Sequence, residues 1–192
     1  LLLDADRPDE AEARLREALL LAEEIEDRRG EALARLFLGI LLWEAADPEA
    51  RSMLERAGEL SVDMGLNRLE AVSCAIRARI HREGADLAAA HALSARAMEL
   101  LARFGAELSD RIVIEGTHAL VLRTLDRAEE AAEIELALRE RVERENGRLE
   151  SPLARPAVAI DVGDADALAI GGRLRQRHEH RRVHRVGGAQ RH

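Results

Sequence analysis

Three histidines stand close together near the end of the chain, His178, His180 and His184, with Glu179 between the first two. On a helix His180 and His184 would share one face, and imidazoles so placed can hold a transition metal. Such a site also needs a rigid surround to orient its ligands. The stretch GGRLRQRHEHRRVHRVGGAQRH has no core to supply one, so it reads as a basic tail with incidental histidines. Asp161, Asp164 and Asp166 in DVGDAD suggest a calcium loop, but the twelfth position, where a bidentate Glu is needed, is Gly172. Cys74 lies among apolar helical residues, where a thiol packs rather than reacts. No Gly-rich phosphate loop and no supported Ser/His/Asp grouping occurs. The sequence therefore predicts no catalytic residue, no cofactor and no bound metal.

The composition narrows the choice of scaffold. The 192 residues contain no Tyr and no Lys, so all 29 basic residues are Arg; two Phe and one Trp supply the aromatic bulk. Alanine and leucine dominate, and both favour helix. A core made this way rests on many small helix–helix contacts. Residues 1–150 hold 21 Arg against 33 acidic residues, whereas residues 151–192 hold eight Arg against four acids. The acidic body argues against nucleic acid as a partner. No apolar run approaches the roughly 20 residues of a membrane span, which argues against a membrane partner. The start, LLLDADRPDE, is too short and too soon acidic for a signal peptide. A lone cysteine excludes an internal disulfide and suits a reducing compartment, here the cytoplasm. The chain opens on Leu rather than Met, which implies a piece of a longer protein.

The elements that must position any binding residue repeat along the chain. Ala11, Ala50, Ala90 and Ala131 recur at steps of 39 to 41, and seven residues after each stand Ala18, Ala57, Ala97 and Leu138. Between them fall small residues at Gly39, Ala78 and Ala119, where a small side chain lets two helices approach closely. Breaks occur at Asp6-Arg7-Pro8, Asp47-Pro48, Gly84-Ala85-Asp86 and Leu125-Asp126-Arg127, and Asp at such points can cap the next helix. In the second of them Asp47 should be the cap and Pro48 the first helical residue. The pattern predicts seven helices, at about 8–26, 30–45, 48–62, 67–83, 86–104, 109–124 and 127–146, joined by turns short enough to make neighbours antiparallel. The first has no partner before it. Asn146-Gly147 marks the end of the repeats, leaving a helical domain over 1–147 and a basic, disordered tail over 148–192.

This arrangement resembles the tetratricopeptide repeat. Gly39, Ala78 and Ala119 match that family's small residue of the first helix, and Ala90, Ala131 and Ala97 match the alanines of its second. Leu15 and Leu54 fit the bulky position of the second helix, whereas Ser94 and Glu135 do not, and Ala50 comes one residue early. The long period is similar to that of arrays found C-terminal to the catalytic parts of bacterial signalling ATPases, transcription activators and serine/threonine kinases. The resemblance implies an all-α fold, a right-handed α-solenoid of antiparallel hairpins. It further implies a non-catalytic protein-interaction or sensor module, or else the C-terminal part of a kinase or ATPase whose catalytic domain is not in this chain. A structural array that associates with itself is a third reading.

In that family the first helices line a concave face. The register places Leu33, Leu36, Ile40 and Trp43 there, then Val72, Ala75, Arg79 and Arg82, then Val113, Gly116, Leu120 and Arg123. Leu36, Ile40 and Trp43 would meet an apolar anchor, while Arg79, Arg82 and Arg123 would meet a carboxylate or phosphate. The implied partner is a protein or peptide, acidic in part. The alternative is that Trp43 packs between hairpins and the arginines pair with glutamates, with Glu31, Glu44 and Glu83 placed to offset them.

Overall fold

The computed structural model describes residues 8–149, which form seven α-helices and no strand. These are α1 (Pro8–Glu24), α2 (Arg28–Glu44), α3 (Glu49–Asp63), α4 (Asn67–Glu83), α5 (Leu87–Phe104), α6 (Leu108–Thr124) and α7 (Ala128–Leu149). The fold is all-α. The tail, with its histidines and the DVGDAD stretch, lies outside the described residues. Among those described, no helix is long and apolar enough to cross a membrane.

Five of the six connections close in one way. The N–H groups of Asp27, Asp47, Leu66, Asp86 and Arg127 bond to the carbonyls of Ala22, Leu42, Ser61, His81 and Leu122, each five residues back, at 2.8–3.0 Å. Just before each donor stands a residue in the left-handed region: Glu26, Ala46, Gly65, Ala85 and Asp126, with φ between 56° and 64°. This is the Schellman closure, which satisfies the last carbonyls of a helix. Four of the five are not glycine, although the conformation costs an L-residue about 1–2 kcal/mol. Asp27 and Asp86 then cap α2 and α5 through their carboxylates, and Asp47 accepts from the N–H of Glu49 at 2.8 Å. Pro48 already holds helical angles, φ −64° and ψ −21°, as its fixed ring favours. At its far end α7 runs through Asn146-Gly147 to Leu149, past the expected stop. Neither residue forbids helix; the next that does is Pro152.

Each helix packs on its neighbours in chain order, and α4 also touches both α2 and α6. The even helices thus form one row, with the odd helices outside it. Gly39 shows how closely the layers meet: a Cβ there would lie 2.6 Å from Cγ of the fully buried Leu54. Ala78 and Ala119 are buried at the matching sites, as are Ala50, Ala90 and Ala131. Leu15 and Leu19 of α1 join α2, α3 and Ile76 of α4 in one apolar cluster. A second joins α4, α5 and Ile114, and a third is reduced to Ala119, Leu122, Ala131 and Ile134.

One ion pair recurs inside the hairpins. Glu70 of α4 meets Arg96 of α5 at 3.0 Å, and Glu115 of α6 meets Arg141 of α7 at 2.8 Å, both pairs 26 residues apart. Glu31 and Arg56 approach to 3.9 Å at nearly the same separation. Counted from the small residues Gly39, Ala78 and Ala119, the Glu115–Arg141 pair sits one turn later in its hairpin than the other two. Glu70 and Glu115 are buried, so their arginines also satisfy groups that would be costly to leave alone.

Candidate functional site

The row of α2, α4 and α6 carries the residues expected on the concave face. Leu33, Ile40, Val72, Val113, Gly116 and Leu120 are partly exposed along it. Leu36 and Ala75 are buried, Leu36 within the first apolar cluster, so neither offers surface to a ligand.

The end of the row near the C-termini of α2 and α4 is polar and aromatic. Trp43 is 7% exposed and donates its indole N–H to Glu83 at 3.1 Å. The Arg79 guanidinium lies over the indole, 4.7 Å from the ring centroid. A cation on the face and an acceptor at the N–H engage both faculties of the indole and hold its plane. Glu44, beside it on α2, is buried, and burial pushes its carboxyl above the ordinary carboxylate range while the Arg79 charge opposes the rise. Arg82 follows Arg79 on α4, with its Nε buried and making no hydrogen bond among the described residues. The structure thus joins Trp43, Arg79, Glu44 and Glu83 into one cluster across α2 and α4.

Arg123 is held elsewhere. It is exposed on α6 and forks onto Glu135 of α7 at 2.8 and 2.5 Å. Glu31 turns to Arg35 and Arg56 rather than to the row's arginines. Cys74 is buried, and burial raises its thiol pKa, which keeps it protonated and unreactive. Among the described residues, no three His, Cys, Asp or Glu side chains gather as a metal site would need.

A polar joint between α5, α6 and α7 escaped the sequence reading. Ser94 is fully buried, donates to the His91 carbonyl and lies 3.0 Å from Nδ1 of His118. The rings of His91 and His118 are 6.1 Å apart, and Arg127 reaches Nε2 of His91 at 3.0 Å. Burial, then the neighbouring His91 and Arg127, lowers the His118 pKa below its usual value, against a weak pull from Glu130. The signal was in the repeat: Ser94 and Glu135 break the bulky position that Leu15 and Leu54 fill. Each proves to be half of a polar contact with α6, Ser94 with His118 and Glu135 with Arg123.

Compared with known protein families, curated proteins and solved structures, the chain matches none.

Proposed function

We propose that this chain is a non-catalytic protein-interaction module of the tetratricopeptide kind, working in the cytoplasm within a larger bacterial signalling protein. Its ligand is a peptide with an acidic group, taken on the row of α2, α4 and α6. The observation that carries this reading is the Arg79 guanidinium laid on Trp43, with Arg82 less than one turn further along the same helix. Arg79 is thereby held against α2, and Arg82 beside it brings a guanidinium whose planar fork matches a carboxylate or phosphate. The partly exposed Ile40, Val72 and Val113 lie along the row to take apolar side chains.

Screening the folded chain against an acidic peptide library tests it. Selected peptides should pair a carboxylate or phosphate with an apolar residue, and Arg82→Glu should weaken them at least tenfold with the helical content unchanged. A screen that selects no such peptide, or peptides that bind the Arg82→Glu chain equally well, would overturn the proposal.

A further inference from the structure

Arg127 is an unfavourable residue with which to begin a helix. At the corresponding points before α2 and α5, Asp27 and Asp86 accept hydrogen bonds from the first backbone N–H groups. A guanidinium cannot accept, and its charge meets the positive end of the helix dipole. The turn before it holds Asp126 at φ 58°, in the left-handed region. What Arg127 does instead is reach across the stack. Its Nε and Nη2 fork onto Glu130 of α7 at 2.6 Å each, and its Nη1 meets Nε2 of His91 on α5 at 3.0 Å. Among the described residues α7 packs substantially on α6 alone, so this contact ties α7 to the helix beyond.

The donors in this joint fix the state of both imidazoles. Arg127 can only donate, so Nε2 of His91 must accept and carries no proton. The Ser94 hydroxyl donates to the His91 carbonyl at 3.1 Å, which leaves its oxygen to accept the Nδ1–H of His118. The joint is therefore built around two neutral rings. A proton on His91 sets donor against donor at the Arg127 contact. A proton on His118 adds another cation beside His91 of α5 and Arg127 of α7, with Glu130 of α7 to offset them. No charged group of α4, which also packs on α6, acts on His118; at the α4 end of α5, His81 is engaged with Asp86. Hydrogen bonds from Arg127 and Arg123 hold Glu130 and Glu135 below the ordinary carboxylate range. Those two carboxylates stay ionised as pH falls from 7.5 to 5, so within the joint the imidazoles carry the change of charge.

The apolar contact that backs this tie is small: Ala119 and Leu122 of α6 with Ala131 and Ile134 of α7. Further along, α7 is held more firmly. Glu135 is forked by Arg123, Arg141 bonds the buried Glu115, and Leu138 and Val142 are buried. We propose that His91, His118 and Arg127 form an acid-operated latch: at neutral pH Arg127 ties the start of α7 to α5, and protonation of the two imidazoles releases residues 128–134 while the rest of α7 stays seated. Release bares Ala119 and Leu122 of α6. The latch stands apart from Arg79 and Arg82, and its test involves neither.

Amide hydrogen exchange on the whole chain tests the latch, with each rate compared with the intrinsic rate at the same pH to give a protection factor. In the wild type, protection of the amides of residues 131–135 should fall at least tenfold between pH 7.5 and pH 5, while that of α2 changes little. The double variant His91→Gln/His118→Gln keeps a neutral acceptor for Arg127 and should hold its protection at pH 5. Arg127→Ser removes the tie and supplies a cap, so its protection should be the same at both pH values. Circular dichroism at both pH values shows whether each variant is folded. Wild-type protection that does not change, a fall that α2 shares equally, or a fall that either folded variant keeps would overturn the inference.

Discussion

The first and last helices stand at opposite ends of one stack, and they end it differently. Each packs substantially on one neighbour only among the described residues. On α7, the exposed Arg139 occupies the position of Gly58, which in α3 is turned to α4. A helix with a polar outer face can end an array against water, as a capping repeat does. On α1 the side away from α2 keeps the alanine and leucine of an interior helix. Residue type alone does not distinguish Leu21 from Leu60; what differs is whether a helix lies over it. The two ends teach that burial in a repeat array is a property of neighbours, while the encoded intent to be buried belongs to the helix itself.

That contrast can be broken by substituting the same residue at both places. Leu60→Ala should cost about 2–5 kcal/mol, because it empties a site with no exposure. Leu21→Ala, at the equivalent position, should stay within about 0.5 kcal/mol, as exposed sites do. Urea denaturation of the two variants checks the pair, and equal losses would mean that α1 is covered in solution. A smaller effect of opposite chemistry should follow from overfilling. Ala97→Leu should cost about 1–3 kcal/mol by forcing α4 and α5 apart, whereas Ala18→Leu should be close to neutral. The melting midpoints of these variants read the difference.

Much of this was legible in the sequence because one register ran through it. Ala50, Ala90 and Ala131, with Gly39, Ala78 and Ala119, located the helix crossings, and all six are buried. Ala11 and Ala18 followed the same spacing, but Ala11 is half-buried and Ala18 exposed, since spacing does not report a missing neighbour. The site was less legible. Sequence register placed Trp43 and Arg79 on adjacent helices, and they meet. It could not say that Trp43 would be nearly covered, or that Arg123 would fork onto Glu135, because those outcomes depend on rotamers and on which carboxylate lies nearest. Of the His91–His118–Ser94 joint the repeat marked only Ser94; His118 stands 24 residues away on another helix, with no spacing to link the two.

Two finer predictions concern the middle of the stack. Ala85 ends α4 at φ 60°, a conformation glycine adopts without a Cβ penalty. Ala85→Gly should therefore stabilise the protein by about 1 kcal/mol, net of the freedom glycine adds to the unfolded chain, as chemical denaturation would show. The smallest effect is on pH dependence. The folded pKa of His118 lies below its ordinary 6.5, so the unfolded chain takes up the proton first. Its contribution to stability is full above that ordinary value and is lost as pH falls through the folded one. Protonation would also set His118 against His91 and Arg127, with only Glu130 to offset them. The melting temperature of the wild type should fall between pH 7.5 and 5, and His118→Gln should fall less over that window.

The central claim is that α1 has the residues of an interior helix but, among the described residues, one flanking helix, and amide hydrogen exchange tests it most directly. In a preparation shown by sedimentation to be monomeric, amides of Pro8–Glu24 should exchange far faster than those of Leu87–Phe104, which two helices flank. Equal protection of α1 and α5 in the monomer would contradict the account.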